Sequence, residues 1–183
     1  GTATRDFRLL KFHPQDNNVV YVDNKRFNSI QSNNNFTTLS KTVVAVYEGD
    51  GDIVYAGASS GTTTRIYKST DMGTTWNTAI YPEIPYTGQL KQIAVSPTDE
   101  NRVYVALSTT TPAGGGGVWI INNTLASGGT ATQKDADNGL SLDQFGDAKW
   151  LSLCIDPNDA TVLYTGMYST PKGASNGIFR STD

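Results

Sequence analysis

The chain has 183 residues, with 14 basic and 17 acidic side chains and a net charge of −3. This balance gives no support for a nucleic-acid or anionic-membrane surface, because both need clustered lysines and arginines, and no apolar run is long enough to insert into a membrane. Glycine, threonine, serine and asparagine are abundant beside valine, isoleucine and tyrosine, which is the composition of strands and turns. We therefore expect one all-β unit.

Two single residues bear on site chemistry. Cys154 is the only cysteine, so no internal disulfide is possible, and its place in the apolar run 151–155 predicts a buried small hydrophobe. His13 is the only histidine and lies in a turn without a second histidine or cysteine beside it. We expect no metal site and no cofactor.

One phrase recurs along the chain and predicts a repeated unit. Each copy is a short apolar strand, a turn rich in proline, aspartate or asparagine, and a strand centred on an apolar–tyrosine pair. The copies cover residues 12–22, 46–56, 95–105 and 155–165, and their tyrosines are Tyr21, Tyr55, Tyr104 and Tyr164. Spacings of roughly 34, 49 and 60 residues suit one supersecondary unit per repeat, with loops of variable length.

A second motif, at residues 65–76, is a strand followed by a tight turn, and residues 177–183 begin it again. Its serine and aspartate can accept hydrogen bonds from turn N–H groups, its glycine supplies a positive φ, and its tryptophan can fold back as an apolar plug. The residues that we assign to this structural turn are Ser69, Asp71, Gly73, Trp76, Ser181 and Asp183. Because the chain stops inside the second copy, we expect it to be a fragment of a longer protein.

Each repeat is therefore a four-stranded antiparallel meander, with strands A to D in chain order. Such sheets arranged radially form a β-propeller, and we expect residues 1–183 to be one partial propeller of about three and a half to four blades. The predicted blades are roughly 7–40, 41–80, 90–125 and 150–183. A β-sandwich and another repeat fold are the alternatives. Since closed propellers usually have more blades, the remaining ones would come from the same or another chain.

Propeller geometry sorts the loops into two faces. The A–B and C–D turns, which carry the repeated motifs, share one face and are predicted to be scaffold. The B–C and D–A loops share the other face, and function is expected there because loops of variable length commonly carry it. The predicted B–C loops are 23–26, 57–64, 107–116 and 166–176, and the predicted D–A loops are 78–90 and 124–150.

The variable loops hold carboxylates and aromatic side chains that suit a sugar substrate. Glycosidases need two carboxylates at a fixed separation, and they use aromatic faces as platforms for sugar rings. Our candidates are Asp143 and Asp147 as catalytic carboxylates, and Trp150, Tyr81, Tyr86 and Tyr168 as substrate-binding aromatics. The alternative is that the acids are solvated loop residues and that Trp150 caps the core.

The motif at 69–76 resembles the Asp-box, or BNR repeat, of sialidases, sortilin-like receptors and family 74 glycoside hydrolases. With turns such as those in 94–105 and 155–164, nearly the whole chain looks most like the propellers of family 74, which include xyloglucanases. This resemblance implies two seven-bladed propellers around a cleft, with one catalytic aspartate from each. The first would be Asp23, which follows the strand 20–22.

The resemblance also implies a function and a location. It implies a secreted or cell-surface protein that binds or hydrolyses a β-glucan-type polysaccharide, with metal-free acid/base chemistry on two carboxylates. The alternative is a non-catalytic propeller, as in sortilin-like proteins, that serves as a protein-interaction or structural module of a surface assembly. The expected partner is a polysaccharide or a surface protein, with no nucleic acid and no membrane insertion.

Overall fold

The structure is a computed structural model that describes residues 10–28, 36–41, 44–60, 63–76, 82–85, 89–108, 116–122, 129–134, 150–168 and 177–181. Within these residues the chain is all-β, with fourteen strands in four antiparallel sheets and no helix. Neighbouring strands in each sheet are also neighbours along the chain, so every sheet is a meander. The prediction of an all-β fold built from antiparallel meanders is confirmed.

The first two sheets come from the N-terminal half of the chain. The first sheet contains β1 (Leu10–Phe12), β2 (Val20–Val22), β3 (Lys25–Phe27) and β4 (Phe36–Thr38). The second sheet contains β5 (Ala45–Val46), β6 (Val54–Ser60) and β7 (Thr63–Ser69). Beside β7, Ile84 exchanges two backbone hydrogen bonds of 2.9 Å with Thr64. Part of the predicted loop 78–90 is therefore paired with the sheet, and Ile84 is fully buried there.

The other two sheets come from the C-terminal half. The third sheet contains β8 (Gln89–Ser96), β9 (Asp99–Ser108), β10 (Gly117–Asn122) and β11 (Thr130–Lys134). The fourth sheet contains β12 (Trp150–Asp156), β13 (Asp159–Tyr168) and β14 (Gly177–Ser181). Since β11 pairs with β10, the prediction of a loop over 124–150 is wrong for residues 130–134. This outermost strand is mostly polar and exposed, so it lacks the apolar pattern that predicts strands.

The apolar core lies between successive sheets. One cluster joins the first and second sheets around Tyr21 and Val54, and another joins the third and fourth around Tyr104 and Leu163. The largest cluster lies between the second and third sheets. The third sheet is thus covered on both faces, which is why residues 103–108 of β9 are all buried and residues 103–107 form a continuous apolar run.

The sheets meet along their first strands. Strand β1 contacts β5, β5 contacts β8, and β8 contacts β12, while the second strands β6 and β9 also contact the first strand of the next sheet. The four described sheets therefore fan out from a common inner line. This arrangement is propeller-like, and it differs from the two facing sheets of a β-sandwich.

Two of the repeated tyrosines donate a hydrogen bond to the next sheet. The hydroxyl of Tyr55 in the second sheet donates to the Glu100 carbonyl in the third sheet. The hydroxyl of Tyr104 in the third sheet donates to the Ala160 carbonyl in the fourth sheet, at 3.3 Å. Tyr21 occupies the same position in the first sheet, where burial raises its pKa to about 12. The apolar–tyrosine pair is thus a contact between sheets as well as a strand signal.

A cation opposite the tyrosine makes a second link in the first two sheets. Lys68 pairs with Tyr55 across the strands, is almost fully buried, and places its Nζ 2.6 Å from Glu100 Oε1. Arg26 pairs with Tyr21 in the same way. Its Nη1 donates to the Met72 carbonyl at 3.1 Å in the turn of the second sheet. A buried charge is tolerated here because it is paired across the sheet boundary.

Cys154 is exposed, so the prediction of a buried small hydrophobe is wrong. Its neighbours Leu153 and Ile155 pack toward the third sheet. Because side chains alternate along a strand, Cys154 lies on the opposite face of the fourth sheet. The apolar run alone could not predict which of the two faces is covered.

We predict that Tyr55→Phe lowers the free energy of unfolding by about 1 kcal/mol, because the partly buried Glu100 carbonyl loses its donor. Tyr21→Phe is the matched control. The Tyr21 hydroxyl is buried and has no hydrogen-bond partner among the described residues, so its removal should leave stability unchanged or raise it. Urea denaturation of both variants measures this difference. Equal losses would contradict a specific role for the hydroxyl of Tyr55.

Candidate functional site

The first strands of the four sheets enclose a groove of about 650 Å³. We call it the inner groove, and each of β1, β5, β8 and β12 contributes to its wall. It is lined by Lys11, Phe12, Pro14, Ala45, Val46, Glu48, Gln92, Ile93, Ala94, Val95, Pro97, Leu153, Cys154, Ile155 and Pro157. A concave and largely apolar surface with a few polar groups is the usual form of a binding cleft.

One polar side chain of the inner groove holds two sheets together, and two charged side chains could contact a ligand. The Gln92 amide accepts from the Leu153 N–H at 3.0 Å and donates to the Leu153 carbonyl at 2.7 Å. It therefore ties β8 to β12 and closes the seam between the third and fourth sheets. Lys11 and Glu48 are the charged side chains of the lining. The groove thus carries little net charge and favours a neutral ligand.

The turn after β7 is held by its own side chains. Ser69 Oγ accepts from the Gly73 N–H at 2.8 Å and donates to Asp71 Oδ1 at 2.7 Å. Asp71 Oδ1 also accepts from the Thr75 N–H at 2.8 Å, and Oδ2 accepts from the Thr75 hydroxyl at 2.6 Å. Both oxygens of the carboxylate are therefore engaged within the turn.

Glycine is required at one position of this turn. Gly73 has a φ of 81°, and a Cβ there would lie 2.9 Å from Leu39 Cδ1 and 3.2 Å from Trp76 Cζ2. The close approach lets Trp76 and Met72 pack against the cluster between the first and second sheets. The turn thus serves the core, on the face where Arg26 enters from the first sheet.

The electrostatics of Asp71 follow from the same contacts. Partial burial would raise the pKa of Asp71, but hydrogen bonds from Thr75, Ser69 and Thr74 outweigh it and lower the pKa below its ordinary value of 3.8. An ionised carboxylate whose oxygens are occupied is poorly placed to transfer protons to a substrate. Asp71 therefore stabilises the turn.

Of the predicted catalytic residues, one lies in the described part of the chain. Asp23 occupies the two-residue turn between β2 and β3 with a φ of 51°, and it is half-buried. Aspartate tolerates this left-handed conformation, so the hairpin turn accounts for its presence. Asp143 and Asp147 lie outside the described residues.

Two of the four predicted aromatic residues lie in the described part of the chain. Trp150 begins β12 and Tyr168 ends β13, and their Cα positions are directly paired. The backbone thus brings these two predicted sugar-binding residues together at the end of the fourth sheet where β12 begins and β13 ends. Tyr81 and Tyr86 lie outside the described residues, on either side of the paired Ile84.

The second copy of the turn motif is described only at its start. Ser181 ends β14, where it pairs with Leu163. Asp183 lies outside the described residues.

Sequence reasoning missed the groove residues Lys11, Glu48 and Gln92, because they come from three separate repeats. The cations Arg26 and Lys68 were also missed. Their signal is a basic residue on strand C directly opposite the tyrosine of strand B, and it appears only once the register is known.

Two structural features are not found among the described residues. No group of three or more histidine, cysteine, aspartate or glutamate side chains could hold a metal ion among them. None of their segments forms a helix that is long and apolar enough to cross a membrane.

Comparison with known proteins shows the fold. No protein-family profile matches the chain, and no curated protein sequence matches it. Among solved structures, the chain is similar to the GH74 enzyme of Niastella koreensis, with a TM-score of 0.61 and 20% sequence identity. The match covers 95% of this chain and 28% of that enzyme. The four sheets thus have the fold of part of a GH74 enzyme, which belongs to a β-propeller family.

We predict that Asp71→Asn lowers the free energy of unfolding at neutral pH by about 1–2 kcal/mol, because hydrogen bonds to a charged acceptor are weakened. The folded pKa of Asp71 is lowered, so its contribution is full above the ordinary value of 3.8 and is lost as the pH falls through the lower folded pKa. The difference from the unmodified protein should therefore shrink in acid. Urea denaturation at several pH values measures it.

The control for this prediction is Asp16→Asn in the turn of the first sheet. Asp16 Oδ1 accepts only from the neighbouring Asn18 in an exposed setting, and an amide oxygen can replace it. We expect a smaller loss for Asp16→Asn. A loss for Asp71→Asn that stays constant down to acid pH would contradict the account.

Proposed function

We propose that this chain is part of a secreted or cell-surface Asp-box propeller that binds a β-glucan-type polysaccharide such as xyloglucan. The observation that carries the proposal is the fold likeness to a GH74 enzyme over 95% of the chain. The side-chain contacts of the turn at 69–76 support the Asp-box assignment, since serine, aspartate and glycine interact there as that motif requires.

We place the polysaccharide at the end of the fourth sheet where β12 begins, which is opposite to the A–B turns that line the inner groove at Pro14, Pro97 and Pro157. The pairing of Trp150 with Tyr168 sets two aromatic residues at that end. Aromatic side chains offer a large rigid contact surface with one polar group each, which suits a sugar ring. The neighbouring inner groove has Lys11 and Glu48 as its charged lining groups, and this low charge suits an uncharged polymer.

Hydrolysis needs more than this binding surface. Retaining and inverting glycosidases hold two carboxylates roughly 5–9.5 Å apart across the scissile bond. Asp23, Asp143 and Asp147 are the candidates in this chain. We therefore propose binding as the function of the chain and treat bond cleavage as a separate readout of the same experiment.

We predict that xyloglucan retards the protein in a native gel and that Trp150→Ala weakens binding about tenfold or more, because a central aromatic contributes a large share of binding energy. Tyr168→Ala should act in the same direction. Phe36→Ala is the matched control, because Phe36 is a partly exposed aromatic at the start of β4, on the face of the C–D turns.

Reducing-sugar release in the same samples reports hydrolysis. If release occurs, Asp23→Asn, Asp143→Asn and Asp147→Asn identify the carboxylates that act. An unmodified protein that neither binds nor cleaves xyloglucan or other β-glucans would refute the proposed function. Equal weakening by Phe36→Ala and Trp150→Ala would refute the proposed place of binding.

A further inference from the structure

The junction between the second and third sheets contains a cluster of reactive groups that the other junctions of the described sheets lack. Lys68 of β7 places its Nζ 2.6 Å from Glu100 Oε1 and 3.2 Å from Asn101 Oδ1, and both partners lie near the start of β9. The side chain of Lys68 is only 3% exposed. A primary amine, a carboxyl group and a carboxamide therefore meet in a place that is largely closed to water.

The repeats indicate that the sheets can pack without this cluster. Arg26 holds the position of Lys68 in the first sheet, since each is paired across the strands with the repeated tyrosine. In the third sheet that position is Ile120. Asn101 lies three residues before the repeated tyrosine of its sheet, where the fourth sheet has Thr161. The meeting of an amine with a carboxamide is thus particular to one junction and is not required by the repeated fold.

We propose that Lys68 and Asn101 form an isopeptide bond that covalently links the second sheet to the third, with Glu100 as the proton carrier. Near-attack geometries hold the reacting atoms about 3–3.5 Å apart. The carbonyl carbon Cγ of Asn101 is bonded directly to the oxygen that lies 3.2 Å from Nζ, so a rotation within the lysine side chain suffices to bring the amine onto this carbon. The proposal concerns the scaffold, and it goes beyond the proposed polysaccharide binding without depending on it.

The step exchanges one amide nitrogen for another and needs no oxidant, reductant or external reagent. Glu100 takes a proton from the Lys68 ammonium, and the lone pair of the resulting amine attacks Cγ of Asn101 to form the new C–N bond. Glu100 gives its proton to the amide nitrogen of Asn101, whose C–N bond breaks so that this nitrogen leaves as ammonia. The second proton left on Nζ passes through Glu100 to the ammonia, which departs as ammonium.

The surroundings of the cluster favour this reaction. Tyr55, which is paired with Lys68 across the strands, is fully buried, and so is Val103, two residues after Asn101. Burial disfavours charged groups, and the reaction replaces a buried ammonium by a neutral amide. The Tyr55 hydroxyl donates to the Glu100 carbonyl and so holds the strand that carries both reaction partners of Lys68. The side chain of Glu100 is 37% exposed, which gives the released ammonium a way to solvent.

The test is the intact mass of the folded protein, compared with the mass of its sequence by high-resolution mass spectrometry. The bond removes one ammonia, so we expect a deficit of about 17 Da. Lys68→Arg and Asn101→Ala should both abolish the deficit, and Arg26 shows that an arginine fits at the position of Lys68. Asn18→Ala is the matched control. Asn18 holds the position of Asn101 in the first sheet and contacts Asp16 within its own turn, so this variant should keep the deficit.

Peptide mapping locates the bond. Trypsin cleaves after Lys91 and Arg102 but not after a lysine whose amine is acylated, so residues 66–91 and 92–102 should be recovered as one cross-linked species. Glu100→Gln tests the proton carrier, because it keeps a polar side chain and removes the carboxyl group. We expect it to form the bond about a hundredfold more slowly than the unmodified chain, followed as the mass deficit of freshly purified protein over time.

Three results would overturn the proposal. An unmodified chain with the full mass of its sequence would show that the contact stays an ion pair. A loss of ammonia that persists in Lys68→Arg would place the reaction elsewhere, since asparagine also loses ammonia when it cyclises onto its own backbone. A loss of water in place of ammonia would assign the bond to Glu100 instead of Asn101. Circular dichroism checks that each variant is folded.

Discussion

The contact on which the rest of the structure depends is the hydrogen bond from a tyrosine of one sheet to a carbonyl at the start of the second strand of the next sheet. The individual sheets are small, and several of their strands have only two or three residues, so none could bury a core alone. Apolar packing between sheets supplies the core but has no preferred direction. The hydroxyls of Tyr55 and Tyr104 supply direction, because each must reach one carbonyl in the neighbouring sheet. The fan of sheets and the inner groove follow from that repeated geometry.

Most of the fold could be predicted because its signals lie within short stretches of the sequence. The apolar–tyrosine strands and the Pro-Asp turns repeat in the sequence, and alternation within each strand fixes which side chains share a face. What could not be predicted depends on neighbours distant in sequence. Cys154 sits in an apolar run, yet its exposure depends on whether another sheet covers its face. Strand β11 is polar because it is outermost, so its sequence resembles a loop. Lys11 and Gln92 line the inner groove because the first strands of the four sheets lie side by side, and no local sequence signal predicts this.

The residues that stabilise the fold and the candidate binding residues lie in different parts of the structure. Asp71 has the residue type of a catalytic acid, but both oxygens are occupied by Ser69 and Thr75, and the turn serves the core. Trp150 and Tyr168 have no part in that turn and are paired at the end of the fourth sheet. The fold likeness to a GH74 enzyme concerns the sheets that carry the predicted loops. Predicting the role of such loops from sequence is harder, because their residues are not constrained by a repeated contact.

The central claim is that the sheets fan out around the inner groove, and distances between spin labels test it most directly. An inner pair joins Lys11→Cys to the native Cys154, both on the groove wall, and spans the first and fourth sheets. An outer pair, Thr37→Cys with Thr132→Cys in a Cys154→Ser background, spans only the first and third sheets. Measured by pulsed electron paramagnetic resonance in samples diluted with unlabelled protein, the inner distance should be clearly shorter than the outer one. An inner distance longer than the outer distance, as in a parallel stack of sheets about 10 Å apart, would contradict the account.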